Sequence, residues 1–565
     1  MDNAIKISKH SMKQVLNSSI LTISSNFKNL TGSIGDLIVL SSDIAKSRFC
    51  DKSEGILYKS ALMFHSCQLI SSLKLLAKVI NNEIIIGSVL KECRNSIHNR
   101  INFCLDTIGE IFNSDFVPIN ESGLFLKWVD DALEKITQVE IGNKTEFALK
   151  EAVSAFENVL SHAMSIAQIC LNEDSKAIKG TSQMVLESIE ELENELTKSE
   201  PNKAMVKLFI ENSGNKLCSL ERRVDIAILR LSLKIFSKYN QPLKEVFKIC
   251  ERNFQDEFNQ QLIDDIVVDF DLHVDRIMQI GLFSVFCSSN IKSGIKIRDC
   301  MASLEFLETE LIPSALMLLT DNSEVNRMSS SIYKNYWLDE AKELKKLIFE
   351  IIDPYTFCQV IYDEICLVID GISEKYKTEN NFSKIEYNDI VNFGSVFIDF
   401  LLTALKSEDM DDNPSIRGRV EKCDLVLREI SKALEILDDN SDRTNIRILS
   451  RCRVFKAEMK KLLVALKKGI EDEELAENQN DIEVKNDLPQ NKFFNHIMQK
   501  GKDILDNRSI LYRTPNKTFM IQSLQSKNGR SGNKKTVNSF IRRLSALKLN
   551  FHQFHLQNSH HSIYK

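Results

Sequence analysis

Five carboxylates surround a single histidine between residues 264 and 275. Asp264, Asp265, Asp269, Asp271 and Asp275 flank His273, and Asp269 and His273 stand four apart, on one face of any helix. A metal site or an acid–base pair would use residue types of this kind. The same residues also make an ordinary solvated acidic helix start, which is the reading adopted. His65 with Cys67, and Cys93 with His98, offer soft and borderline ligands. They lie among apolar residues on different periodic patterns, which favours core histidines and thiols. Phosphate-cradling glycine loops, a GxSxG nucleophile turn and paired Glu-x-x-His sequences do not occur. No cofactor, metal or catalytic residue is expected, so enzyme chemistry is the weakest class.

The strongest signal outside a core is near the end of the chain. Lys534, Lys535, Arg542, Arg543 and Lys548 surround Phe540, Leu544, Leu547 and Phe551, an apolar series spaced i, i+4, i+7, i+11. That pattern gives a short amphipathic helix with a cationic rim. Such a helix can lie on the anionic inner leaflet of a membrane, dock on an acidic protein such as an actin filament, or pack on a bundle with its charges solvated. Charge sharpens the contrast. From Asn491 onward the chain has fourteen Lys or Arg against two Asp, a net of +12, so the preceding 490 residues carry −18 of an overall −6.

Only 8 Pro and 18 Gly punctuate 565 residues, too few for the turns of a sandwich or barrel. The chain therefore reads as all-α, with long helices. Thirteen cysteines never fall closer than eight apart, and no CxxC exists. With no leader at Met1–Leu21 and no apolar run near the ~20 residues that span a bilayer, reduced core thiols and a cytoplasmic, at most peripheral, location are expected.

Helical periodicity predicts helices over Ala4–Leu30, Ile34–Phe49 (after a Thr31-Gly32-Ser33 break), Gly55–Ile80 and Ile84–Phe112. Asp115–Gly123 reads as a linker, and Lys203–Tyr239 as one long helix or two broken near Gly214. Leu272–Leu319 reads as a helical hairpin about Ser288-Ser289-Asn290. Ile297, Met301, Leu304, Leu307 and Leu311 line its second arm, Glu305, Glu308 and Glu310 fall mostly off that stripe, and Pro313 kinks or shortens its end. Helices continue to Ile470. Glu471–Gln490 is acidic and poor in large apolar residues, a disordered linker ahead of the basic tail. The divisions expected are a bundle over 1–114, a second bundle region over 115–241, further bundles over 242–470, and the linker and largely disordered tail over 471–565.

Two stretches carry a family resemblance: VDRIMQIGLFSVFCSS followed by KIRDCMASLEFLETELIPSAL, and YWLDEAKELKKLIFEIIDPYTFCQV at Tyr336–Val360 with its Ile-Asp-Pro break. They resemble the central helical region of the vinculin/α-catenin family. The resemblance implies antiparallel helical bundles in series, no enzymatic activity, and a link between membrane-associated complexes and cortical actin, with a helical or junctional protein partner. No nucleic-acid partner is implied. The chain departs from that family in length, and after Ile470 it cannot supply a large C-terminal actin-binding bundle. The alternative is a helical regulator or scaffold with no actin role.

Overall fold

A computed structural model describes residues 1–49, 53–113, 123–139, 141, 145–251, 260–288, 290–379, 384–406, 414–435, 442–468 and 495–501. The fold is all-α, antiparallel bundles in series, and sixteen helices are defined among these residues. The first four, α1 (Asp2–Leu16), α2 (Ile23–Arg48), α3 (Ser53–Ile86) and α4 (Lys91–Asn113), pack together at the N-terminus. Thr31-Gly32-Ser33 does not break the chain: α2 runs through it, and the break lies at 17–22 instead. Leu30, Ile34, Leu37 and Ser41 are buried on one stripe there, so packing holds the helix across its glycine. The second boundary moves too. α3 continues past Ile80 and stops at Gly87, whose φ of 68° is the left-handed conformation that glycine adopts without a Cβ penalty.

A second group follows, α5 (Leu124–Thr137), α6 (Thr145–Ala167), α7 (Asn172–Leu196) and α8 (Lys203–Ser237). α8 is one helix of 35 residues; Gly214 lies inside it, and Asn202 caps its start by accepting from Ala204 N–H at 2.9 Å. Then come α9 (Gln241–Cys250), α10 (Gln260–Cys287), α11 (Ile291–Thr320) and α12 (Glu324–Phe349). The expected hairpin is α10 and α11. Asn290 starts the second arm, its side-chain oxygen accepting from Lys292 N–H at 3.0 Å and Ser293 N–H at 3.3 Å. Pro313 sits within α11, which continues to Thr320. The last four, α13 (Pro354–Glu379), α14 (Lys384–Ala404), α15 (Pro414–Glu435) and α16 (Asp442–Lys468), close a ring in which each helix packs on the next and α16 returns to α13.

The hairpin is covered from several sides. α11 packs on α12, α10, α9 and, from the N-terminal group, α3. Ile297, Met301, Leu304, Leu307 and Leu311 are buried, as the stripe predicts. The acids differ from expectation: Glu305 is buried, and burial raises the Glu310 carboxyl above its ordinary value, because helices cover the second face of α11 as well. Close approach fixes other contacts. A Cβ on Gly394 of α14 would stand 2.6 Å from a Leu427 methyl of α15 and 3.0 Å from the Phe455 ring of α16.

Candidate functional site: polar junctions and the seat of the C-terminal segment

The acidic stretch lies on α10, and His273 turns inward from it. Its Nε2 meets the Tyr239 carbonyl at 3.0 Å, and burial pushes its pKa down to about 4, so it is a neutral core imidazole at physiological pH. His65 is likewise buried, held near pKa 4 by desolvation, with its ring edge-on to Phe64 at 5.0 Å. Cys67 is half-buried and does not share its environment. Burial pushes the Cys93 thiol up to about 11, while His98 pairs with Asn102 at 3.0 Å. Among the described residues no group of three His, Cys, Asp or Glu could hold a metal ion. The twelve described cysteines are free thiols; Cys50 lies outside the described residues.

What the helices do assemble is a set of buried polar junctions that periodicity does not signal. Arg94 of α4 is fully buried and makes a two-pronged pair with Glu83 of α3, Nε to Oε1 at 2.8 Å and Nη2 to Oε2 at 2.6 Å. Its Nη1 donates to the carbonyls of Val15 (3.1 Å) and Ser18 (2.7 Å), groups left over at the C-terminal end of α1. Glu83 also accepts from Leu90 N–H at 2.8 Å, ahead of α4. One ion pair thus ties three helix ends together.

A second junction joins the N-terminal group to the hairpin. Arg100 of α4 donates to Gln68 of α3 and to Ser303 of α11 (2.9 Å), and its guanidinium stacks 4.7 Å from the Phe306 ring. Gln68 donates in turn to Asp299, which also accepts from Ser71 Oγ at 3.1 Å. Tyr336 of α12 donates to the Ser71 carbonyl at 3.0 Å. Burial, with Asp299 adding repulsion, pushes neighbouring Glu340 up to about 7. Farther along, Arg230 of α8 donates from Nη1 to Asp174 of α7 (2.7 Å) and from Nε to Glu364 of α13 (2.6 Å). Lys238 reaches Asp389 of α14 at 2.7 Å. These contacts bind the first group to α11 of the third, and the second group to α13 and α14 of the fourth.

The cationic tail residues Lys534, Lys535, Phe540, Arg542, Arg543, Leu544, Leu547, Lys548 and Phe551 lie outside the described residues. One short piece of the C-terminal region is described. Residues 495–501, within the stretch expected to be linker and tail, are helical and seated on α6. Ile497 is fully buried, His496 Nε2 and Lys500 Nζ meet Glu157 Oε1 at 3.0 and 2.5 Å, and Gly501 presses against Met164 so closely that a Cβ would stand 2.7 Å from the methionine Cβ. Two basic residues four apart, His496 and Lys500, with Ile497 between them, are the sequence signal for that seat.

Among the described residues no helix is long and apolar enough to cross a membrane. Sixteen helices in serial antiparallel bundles, with polar contacts between the bundles, give a vinculin-like helical-bundle fold. A vinculin homologue from a sponge superposes with a TM-score of 0.60 at 13% identity, covering 84% of this chain and 59% of its own, so this chain spans just over half the length of that protein. The profile of the Serendipity locus alpha protein (SRY-A) family matches residues 42–528, and the chain belongs to that family. It is 24% identical to serendipity locus protein alpha of Drosophila virilis over 447 residues, covering 76% of this chain and 80% of the relative. The corresponding protein of Drosophila subobscura is 28% identical over 267 residues, 45% of this chain and 46% of that one.

Proposed function

We propose that this protein is a non-enzymatic cytoskeletal adaptor that organises cortical actin at the cytoplasmic face of the plasma membrane. The observation that carries the reading is the shared serial-bundle architecture, which extends over 84% of the chain in the comparison with a vinculin homologue. Membership in the serendipity alpha family supports a finer reading, action at a membrane that invaginates during early development. Proteins of the vinculin kind join membrane complexes to actin. A chain of bundles tied to one another by Arg100 and Arg230 suits transmission of load between a membrane contact and a filament.

The membrane contact is assigned to the tail. Five cations, Lys534, Lys535, Arg542, Arg543 and Lys548, each contribute about 1 kcal/mol near an anionic leaflet, and Phe540, Leu544, Leu547 and Phe551 supply apolar area. Cosedimentation of the whole chain with anionic liposomes and with actin filaments tests both halves. Both should pellet it, and the liposome fraction should fall steeply with salt. Changing Lys534, Lys535, Arg542 and Arg543 together to Glu should abolish liposome binding and leave the melt unchanged. If neither surface pellets the wild-type chain, the adaptor reading gives way to a helical scaffold without an actin role.

A further inference from the structure

Two carboxyls share one buried arginine where α3 and α4 of the first group meet α11 and α12. Asp299 of α11 and Glu340 of α12 repel one another, and both are drawn to Arg100 of α4. Arg100 is fully buried, and its Nη2 donates to Gln68 and Ser303 rather than to either carboxyl. One guanidinium offsets one negative charge, so a second is costly there. Asp299 is the better placed to ionise. Burial raises its carboxyl, but Ser71 Oγ at 3.1 Å and Gln68 donate to it and oppose that rise. Glu340 meets the opposite surroundings, half-buried beside the Tyr336 hydroxyl and the Cys300 thiol. The single hydroxyl proton of Tyr336 goes to the Ser71 carbonyl at 3.0 Å, so Glu340 faces an oxygen lone pair. A carboxylic acid can donate to that lone pair, whereas a carboxylate is repelled by it. Other charges around α12 are paired or in solvent. Lys78 of α3 pairs with exposed Asp339 at 2.7 Å, and exposed Lys74 acts on Asp299. α10 meets α12 through Phe270 on Trp337, and α14 through Asp399 on Lys345 at 3.0 Å. Glu343, one turn along α12, pairs with Lys346 at 3.6 Å in solvent.

We propose that this junction is a pH-gated latch between the first group of helices and the hairpin. With Glu340 protonated, α3 and α4 are held on α11 and α12. With Glu340 ionised, two carboxylates face one arginine and the two sides part. α3 carries the packing of the first group onto α11 and α12, so loosening this contact frees that group as a unit. Opening returns Glu340 to water and to its ordinary 4.5, whereas burial, and after it Asp299, holds it near 7 in the closed junction. The closed form therefore binds the proton more tightly, and closure weakens as pH rises from 4.5 through 7. Between pH 5.5 and 7.5 that difference raises the opening constant about twentyfold.

Buried thiols report the opening. Cys104 of α4 and Cys300 of α11 lie at the junction, while Cys423 of α15 and Cys452 of α16 are buried in the last group. Alkylation of the native full chain is followed at each thiol by peptide mass spectrometry. Dividing each rate by that of the same thiol in the denatured chain at the same pH gives its opening constant. The constants at Cys104 and Cys300 should rise about twentyfold from pH 5.5 to 7.5, and those at Cys423 and Cys452 should not follow. Glu340→Gln should flatten the rise, and Glu343→Gln, one turn away in solvent, should leave it intact. A wild-type chain whose junction thiols show no rise, or stay unlabelled at every pH, overturns the proposal. So does a rise that survives Glu340→Gln or is lost equally in Glu343→Gln. An equal rise at Cys423 and Cys452 overturns it as well, because the whole chain is then unfolding.

Discussion

Burying an arginine is costly unless its charge is answered, and Arg94 finds its counter-charge in one residue. Glu83 supplies that charge and two acceptor atoms, and the carbonyls of Val15 and Ser18 accept from Nη1. Removing only the acid leaves a cation in a low-dielectric site. Glu83→Gln should therefore cost about 3–5 kcal/mol of unfolding free energy in denaturant titration. The double variant Glu83→Gln with Arg94→Met should recover part of that loss, since it removes the stranded charge. A double variant as unstable as the single one would mean that the helix-end carbonyls, rather than the ion pair, set the cost.

At the scale of elements, packing on more than one side distinguishes α11 from a surface helix. Leu304 is fully buried where α11 meets its neighbours. Leu304→Ala should cost roughly 2–5 kcal/mol, the range for a truncated core leucine, and a loss below half of one kcal/mol in a reversible melt would remove it from the core. The 495–501 segment is a weaker element, seven residues held by buried Ile497 and partly buried Met498, two contacts to Glu157 and a close glycine. Glu157→Lys should repel Lys500 and unseat it. Amide hydrogen exchange at 160–165 of α6 should then quicken while the global melt shifts little. Unchanged exchange there would show that Ile497 and Gly501 suffice to hold the segment.

For the whole molecule, buried titratable groups set opposing dependences on pH. His65, His162 and His273 are each held by burial near pKa 4, below their ordinary 6.5. The unfolded chain binds those protons more tightly, so stability is lost as pH falls from about 6.5 towards 4, up to about 3 kcal/mol for a group as buried as His273. Glu340 acts with the opposite sign. Its pKa near 7 exceeds its ordinary 4.5, so the folded state prefers the proton and stability is lost as pH rises between those values. Stability should peak between pH 5 and 7. Denaturant titrations should find Glu340→Gln more stable than wild type at pH 8 and little changed at pH 4.5; equal stability at pH 8 would mean that Glu340 ionises in the fold without penalty.

Much of this architecture is legible in the sequence because burial on one side of a helix leaves a periodic trace. Scarce Pro and Gly gave the all-α class, the 297–311 stripe gave the core face of α11, and Asn290 marked its start. Two kinds of fact needed the tertiary structure. Local break signals are weak beside packing: Thr31-Gly32-Ser33 costs α2 a few tenths to about 1 kcal/mol per residue, less than its buried Leu30, Ile34 and Leu37 contribute, so the helix runs on. The other kind is pairing at long range. Glu83 with Arg94 is a short-range pair, yet Arg100 with Ser303, Arg230 with Glu364, and Glu157 with Lys500 join residues 134 to 343 positions apart. Periodicity marks which side of a helix is buried but not which helix covers it. Charged residues in α3, α4 and α8 therefore read as solvated until neighbouring bundles enclose them.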